Sequence, residues 1–311
     1  MSKIMKTNEL KTIGDFIRWG ASKFTQAQLF FGHGTDNAID EAIIIVLYAL
    51  HLPQDIPDKL WHSNLTYSEK QKITELFNLR IKNKIPTPYI IKEAWFSNLC
   101  FYVDERVLIP RSPIAELIEQ QFTPWIDTSK VTSMLDMCTG SGCIAIASAM
   151  LVFSDIIIDA VDVSYDALTV AKKNIHTYEL EQQIKLIQSD LFTNLNNKIY
   201  DLIITNPPYV DAKEIEIMPS EYSHEPKIGL EAGIDGLLFV ERILQEAVKH
   251  LTPNGILIVE VGLSQENLVK KYPEVPFTWL EFQNGGQGIF LLTYEQLYNL
   301  NLNYNIGINK T

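Results

Sequence analysis

The chain opens in a helical rhythm. Leu10, Ile13, Phe16, Ile17 and Phe24 recur near helical spacing and predict a first amphipathic helix. The turn-rich run Gly32-His33-Gly34-Thr35-Asp36-Asn37 separates it from a second helix, which carries Ile43 to Leu50 and has to stop before Pro53. Thr35 or Asp36 can cap that helix, and Asp40 and Glu41 stand in its first turn, where the helix dipole favours anions. Thr66-Tyr67-Ser68-Glu69 has the spacing of a capping box, and the third helix it opens runs through Ile73, Leu76, Phe77 and Ile81 and ends ahead of Pro86. Pro86 and Pro88 mark a boundary. From Trp95 to Ile109 the pattern becomes aromatic and β-branched, with Asn98 available for a turn, which predicts a hairpin. Ser112 followed by Pro113 is a helix start, with Ile114, Leu117, Ile118 and Phe122 as its buried stripe.

From about Val131 the pattern alternates strand and helix. Strands are expected at Thr132–Met137, Ile156–Asp162, Ile184–Gln188, Tyr200–Thr205, Gly255–Val261, Phe277–Phe282 and Gly288–Thr293, with helices at Cys143–Leu151, Tyr165–Tyr178, Gly236–Leu251 and Ser264–Lys271. This order implies an α/β fold with a mostly parallel sheet covered on both faces. The last two strands are joined only by Gln283-Asn284-Gly285-Gly286-Gln287, which suits a hairpin, so one of them should run antiparallel. The expected division is therefore a helical domain at 1–88, a hairpin linker at 89–110 and an α/β domain at 111–311. The polar tail Asn301–Thr311 is expected to be mobile.

Composition narrows the class. The 311 residues are 46% hydrophobic and 21% charged, which excludes a disordered chain and suits about two domains. Twenty-six Lys and Arg against 38 Asp and Glu give a formal charge of −12, which repels phosphate backbones and attracts a basic protein partner. No direct DNA substrate is expected. Lys3, Lys6 and Lys11 are followed by no signal-type apolar run, and the greasiest stretch, Ala42 to Leu50, is far short of the ~20 residues that span a bilayer, so no membrane partner is expected. Three cysteines, Cys100, Cys138 and Cys143, suit a reducing, cytoplasmic setting. Cys138 and Cys143 have no third or fourth ligand nearby in the sequence, so packing rather than zinc is their expected role, and no metal is expected.

The candidate chemistry lies at strand ends. Asp136-Met137-Cys138-Thr139-Gly140-Ser141-Gly142-Cys143-Ile144-Ala145 contains GxGxxA at a strand-to-helix turn, where glycine admits a ligand to the backbone and Ala145 lets helix and strand pack closely. Asp162, at the end of the second strand of the sheet, can accept from both hydroxyls of a ribose, or merely cap the next helix, a task Ser164 already offers to fill. Asp190, in Ser189-Asp190-Leu191-Phe192, can accept from an adenine amine while Leu191 packs on the ring; a plain surface turn is the alternative. These strand ends suggest an adenosyl ligand. Asp136 would oppose a pyrophosphate and favour an ammonium, which selects S-adenosylmethionine over a dinucleotide.

The fourth strand ends in Asn206-Pro207-Pro208-Tyr209. Two prolines remove two amide donors and stiffen the turn, which leaves carbonyl acceptors, the Asn206 side chain and the flat face of Tyr209. That set suits a planar NH2 group whose two N–H bonds go to the Asn206 side chain and the Pro207 carbonyl; an ordinary turn is the alternative. An amide nitrogen is a poor nucleophile, so holding it in line with a sulfonium methyl at near-attack distance is the larger part of the catalysis. The catalytic set is therefore Asn206, Pro207, Pro208 and Tyr209.

Asp136 to Cys143, Asp162, Ser189-Asp190 and Asn206 to Tyr209 together resemble the class I S-adenosylmethionine-dependent amino methyltransferases, which implies a Rossmann-like sheet. The flanks Phe31 to Asn37, Tyr102 to Glu116 and His224-Glu225-Pro226 resemble the ribosomal protein L-three glutamine methyltransferase family, over about Leu10 to Leu297. Ser112-Pro113-Ile114-Ala115-Glu116 stands where the related release-factor branch reads Pro-Asp-Thr-Glu, which favours the ribosomal branch. The resemblance implies methyl transfer from S-adenosylmethionine to a glutamine amide of a large-subunit ribosomal protein, with S-adenosylhomocysteine as product. It places Cys138, Thr139, Gly140, Ser141 and Gly142 at the methionine end of the cofactor, Asp162 at the ribose, Asp190 and Leu191 at the adenine, and Asn206 to Tyr209 at the glutamine. The N-terminal helices would recognise the substrate. A monomer or weak dimer is expected.

Several residues stay open between two roles. His33 could touch substrate or satisfy its own loop, His224 and Glu225 could order a substrate loop or only stabilise it, and Arg111 could pair with a carboxylate near the site or orient the linker. Competing functions are a release-factor glutamine methyltransferase, an adenine-amine methyltransferase on nucleic acid, and an assembly factor that binds the cofactor without turnover. The negative balance opposes the nucleic-acid reading, and an intact Asn206-Pro207-Pro208-Tyr209 opposes the last.

Overall fold

A computed structural model describes residues 9–304, and the chain falls into two compact units. The first comprises the residues up to Glu93 together with Pro219–His224; the second comprises Ala94–Met218 and the residues from Glu225 onward. The hairpin linker expected at 89–110 thus goes mainly with the α/β unit. Six residues of the segment expected to be wholly catalytic belong with the helices.

In the first unit, α1 (Ile13–Gln26), α2 (Ala38–Ala49), α3 (Tyr67–Asn83) and the short α4 (Thr87–Ile91) enclose a core that includes Phe16, Phe24, Ile45, Ile73 and Phe77. The capping box at Thr66 and Glu69 forms as the sequence predicts. Helix α2 is capped by Asn37, whose side chain accepts from Ile39 and Asp40 N–H at 3.0 Å each, and not by Thr35 or Asp36. Thr35 instead donates to Glu41 at 3.1 Å. That carboxylate is buried because Arg80 is buried with it. The Arg80 guanidinium bonds Glu41, Glu221 at 3.2 Å and the Phe30 carbonyl at 2.7 Å, while Thr87 donates to Glu41 at 2.6 Å. Glu221 lies in the 3₁₀ turn Ser220–His224, and its neighbour Tyr222 lies 4.7 Å, ring to ring, from the buried His33. His224 bonds the Asn83 carbonyl at 2.8 Å. His33 is thus buried within this unit, and His224 bonds the end of its third helix.

The second unit begins within β1 (Glu93–Phe96), which forms the predicted hairpin with β2 (Leu99–Tyr102), Ser97 and Asn98 both being left-handed. The elements then run α5 (Ile114–Glu119), β3 (Ser133–Met137), α6 (Cys143–Leu151), β4 (Ile157–Asp162), α7 (Tyr165–Thr177), β5 (Ile184–Gln188), β6 (Tyr200–Thr205), α8 (Ala212–Ile217), α9 (Leu238–Glu246), β7 (Leu251–Glu260), α10 (Gln265–Lys271), β8 (Thr278–Trp279), β9 (Ile289–Thr293) and α11 (Tyr294–Tyr304). The seven-stranded sheet has the order β5-β4-β3-β6-β7-β9-β8, and only β9 opposes the rest, as expected of one of the last two strands. One apolar cluster around Met134, Ile144, Ile158 and Leu202 and another around Leu135, Met137, Ile203 and Leu257 cover its faces. The strands are near-continuous apolar runs because both faces are buried.

Several expected boundaries shift. The strand expected at Phe277–Phe282 is reduced to β8, and the Gln283 and Asn284 N–H groups of the loop beyond it are taken by the Glu116 carboxylate. Strand β7 starts early at Leu251, which pairs with Tyr200, and residues 252–255 loop out before Ile256 pairs with Leu202. The helix expected at Gly236–Leu251 is α9 followed by a 3₁₀ turn over Ala247–His250. Helix α8, capped by Asp211, was not expected. The tail was placed from Asn301, yet α11 continues to Tyr304; residues 305–311 of that expected tail lie outside the described residues. No helix of the described residues is long and apolar enough to cross a membrane.

Candidate active site

Parallel register brings the carboxyl ends of β3, β4, β5, β6 and β7 to one edge. Met137 pairs with both Val161 and Thr205, Asp162 with Gln188, and Thr205 with Val259. Above that edge lies a cavity of about 340 Å³, within the range of small-molecule sites. Strand order reverses at β3, so the cavity occupies the switch point where open α/β sheets bind ligands.

The glycine turn forms the floor. Cys138 is left-handed (φ 61°), Thr139 N–H donates to the Val161 carbonyl at 2.9 Å, and Gly140 N–H donates to Asp162 at 2.9 Å. A Cβ built on Gly140 would meet no protein atom, because that face opens into the cavity. Asp162 also accepts from Ser164 N–H at 2.9 Å, while Ser164 caps α7 through Ala167 N–H at 3.2 Å. Each Asp162 oxygen thus holds one amide and keeps lone-pair capacity for a ligand. Burial raises the Asp162 pKa against the pull of the Ser164, Gly140 and Val163 amides.

Asp136 does not reach the cavity wall, and neither does Gly142. Asp136 lies fully buried beneath the turn, where it accepts from the Thr139 hydroxyl at 2.5 Å and Ala145 N–H at 3.1 Å. Burial pushes its carboxyl up to about 7. The direct contact with an ammonium expected of Asp136 gives way to support: it shapes the turn from below. Burial also raises the Cys138 thiol and pushes Cys143 up to about 12, so both remain protonated at neutral pH. Among the described residues no group of three or more His, Cys, Asp or Glu could hold a metal ion.

Beyond β5, Ser189 shapes the wall. Its hydroxyl donates to the Leu191 carbonyl at 2.8 Å and accepts from Asn194 N–H at 2.9 Å, holding Leu191 left-handed (φ 49°) and buried against the cavity. Asp190 is half exposed at the rim and pairs with Arg242 at 2.9 Å. Of the residues singled out from the sequence, Cys138 to Ser141, Asp162, Asp190, Leu191 and Asn206 to Tyr209 all line this one cavity.

The Asn206 to Tyr209 corner is fastened from behind. Ser264 donates to the Tyr209 carbonyl at 2.7 Å, Val210 N–H donates to the Leu230 carbonyl at 2.9 Å, and the Tyr209 hydroxyl donates to Glu260 at 3.1 Å. The Tyr209 ring lies on the backbone of Gly262 (φ 47°), where any Cβ would enter the ring. Among the described residues, neither the Asn206 side chain nor the Pro207 carbonyl accepts a hydrogen bond from the protein. The corner is rigid, yet its two acceptors stay available to something in the cavity.

Three parts of the wall were not foreseen. Glu260, at the end of β7, is buried between Tyr209 and the Ser112 hydroxyl, which donates to it at 2.5 Å; burial raises its pKa against those two bonds. The same signal that marks Asp162, an acid at a strand end, marks Glu260. The segment Arg106 to Pro113 forms another side, with Pro226 to Leu230 beside it. Arg111 binds Glu225 through two hydrogen bonds of 2.6 and 2.8 Å, and Ile109 N–H adds a third at 3.1 Å, so both residues join these two segments. Gly286 and Gln287, from the loop before β9, complete the wall.

Residues 120–220 match the methyltransferase small domain family. The chain is 50% identical over 291 residues to the ribosomal protein uL3 glutamine methyltransferase of Francisella tularensis subsp. tularensis, covering 93% of this chain and 92% of that protein. It is 48% identical to the protein of the same name from Xanthomonas campestris pv. campestris, covering 93% and 94% respectively. Among solved structures, the hMettl16 catalytic domain in complex with an RNA hairpin is similar at 19% identity and a TM-score of 0.50, over 77% of this chain and 87% of that one, a likeness of fold alone.

Proposed function

From the premise that the chain belongs to the ribosomal protein uL3 glutamine methyltransferase family, we propose that it transfers a methyl group from S-adenosylmethionine to the side-chain amide nitrogen of a glutamine in the large-subunit ribosomal protein uL3. The observation that carries this reading is the pair of acceptors left open among the described residues, the Asn206 side chain and the Pro207 carbonyl, on a corner fastened from behind through Tyr209 and Val210.

The residues suit the cofactor. Asp162 keeps lone pairs for two ribose hydroxyls, Leu191 offers an apolar face to the base with Asp190 at its edge, and the slim turn at Gly140 leaves room for the methionine end. When bound, S-adenosylmethionine supplies a sulfonium methyl as electrophile, so the S–CH3 bond breaks as an N–CH3 bond forms and S-adenosylhomocysteine remains. The corner binds the carboxamide: the Asn206 side chain and the Pro207 carbonyl accept its two N–H bonds, and Tyr209 sets its plane. Accepting both protons moves electron density toward nitrogen and aims its lone pair, so the corner supplies orientation, the main requirement for a weak nucleophile facing a strong electrophile. The methylated amide is strongly acidic and gives its proton to solvent. The helical unit supplies recognition of the substrate protein.

Asn206→Ala is the direct test. Removing one preorganised partner of the reacting group should lower methylation of uL3 by about 10²–10³-fold, while calorimetry shows cofactor affinity within a few-fold of wild type. Full activity in that variant refutes the orienting role. Label appearing in DNA or a release factor, but not in uL3, refutes the substrate.

A further inference from the structure

Ile217, Ile228, Ile234 and Leu263 are 82%, 56%, 85% and 64% exposed. Single exposed aliphatic side chains are ordinary, but a group of them on segments fastened to one point is not. Three of them lie on segments hydrogen-bonded to Tyr209 or Val210, and the fourth, Ile217, ends the helix that follows these two residues. Ile217 ends α8, which begins two residues after Val210 and is held by an Ala212 N–H bond to the Gly233 carbonyl at 3.0 Å. Ile228 precedes Leu230, whose carbonyl accepts Val210 N–H at 2.9 Å. Ile234 follows Ala232, whose N–H donates to the Val210 carbonyl at 2.8 Å. Leu263 precedes Ser264, which donates to the Tyr209 carbonyl at 2.7 Å. Ile228, and Gly262 beside Leu263, line the cavity itself. The same segments carry Asp211, Glu214, Glu216 and Glu231 against only Lys213 and Lys227.

We propose that this collar is a docking surface for the substrate protein. It takes a basic segment that carries aliphatic or aromatic side chains beside the target glutamine. A lone carboxamide needs only the corner, so the collar offers more apolar surface than a glutamine side chain can cover. Its acids repel RNA, and a second copy of this chain would set like charges together; a basic polypeptide matches both its charge and its apolar faces. The inference rests on the protein-glutamine reading above. Binding remote from the reacting atoms holds substrate and transition state alike, so its loss shows in KM rather than kcat.

The test compares wild type with the doubly substituted Ile217→Ser/Ile234→Ser variant, whose side chains are too exposed to matter for folding. Full-length recombinant uL3 and a short neutral glutamine peptide serve as substrates. The expected result is a KM for uL3 raised about tenfold, with kcat and the peptide KM within twofold of wild type. Glu216→Lys/Glu231→Lys should also raise the uL3 KM, by a factor that shrinks with added salt. An unchanged uL3 KM in both variants overturns the proposal, as does an equal change for the short peptide. So does a shift from dimer to monomer in sedimentation with the uL3 KM unchanged, which would make the collar a self-interface. Wild-type protein that binds uL3 without methylating it refutes the glutamine reading alone; tenfold weaker binding by the variants then still supports the collar, and unchanged binding overturns it.

Discussion

Glu260 and Tyr209 offer the sharpest mechanistic test. The phenol donates to a buried carboxyl at 3.1 Å, and the ring rests on Gly262, so this hydrogen bond and this backbone contact both bear on the ring plane. Tyr209→Phe keeps the ring and the Gly262 contact but removes the bond; Glu260→Gln keeps size but replaces the carboxyl by an amide. Leaving one partner of a buried hydrogen bond unsatisfied costs about 1–3 kcal/mol. If the bond acts by holding the ring for the transition state, its loss converts to about five- to a hundredfold in kcat. Both residues act on the same ring, so the double variant should be no slower than the slower single one. The assay is single-turnover transfer of labelled methyl to uL3 at saturating cofactor, with cofactor affinity measured alongside. Multiplicative losses in the double variant, or a Tyr209→Phe enzyme at full speed, would show that Glu260 acts independently of the ring or that the plane is set by Gly262 alone.

Three more outcomes follow from the geometry. Asp162→Asn should weaken cofactor binding about tenfold or more by calorimetry, because the amide's single oxygen must then serve the Gly140 and Ser164 N–H groups now held by two; unchanged affinity removes Asp162 from the ribose. Asp136 has its pKa raised by burial from 3.8 to about 7, so the folded state holds its proton over a range where the unfolded chain has lost it. Its contribution to stability therefore falls as pH rises from about 4 to about 7, by no more than about 4 kcal/mol. Urea unfolding of Asp136→Asn across that range should show a flatter pH profile than wild type, and an unchanged slope would assign the effect to Asp162 or Glu260, which shift the same way. Arg80→Met strands the buried Glu41 and Glu221 and should cost about 3–5 kcal/mol in denaturant unfolding; a loss below about 1 kcal/mol would refute the view that this ion pair holds the unit together.

What could be read from the sequence was local. The parallel strands were legible because each is a short apolar run bounded by turn residues, and Asp162 because an acid at a strand end has few structural reasons to be there. Asn206 to Tyr209 was legible because two prolines strip the turn of donors. Asp136 was misplaced because its position in the turn is plain from sequence while the direction of its carboxylate is not: the side chain turns under α6 toward Ala145 N–H. Glu260 was read only as part of a strand, since its role depends on β6 and β7 being neighbours, a matter of sheet order. The membership of Pro219–His224 was beyond reach for the same reason. It rests on an ion pair between Arg80 and Glu221, 141 residues apart, and no periodicity marks a partner at that separation.

That six-residue excursion has a consequence for how the protein can be taken apart. The polypeptide passes between its two units three times, near residues 93, 218 and 224, and not once. A truncated chain begun after Glu93 would still carry Glu221 and Tyr222, but stripped of Arg80, Phe30 and His33, which enclose them. The excised catalytic portion would thus expose an acidic and aromatic stump within the stretch that joins Tyr209 to Glu225. Swapping the helical portion between relatives at a single splice point would create the same mismatch, so the two units of this architecture are expected to diversify as one inherited piece.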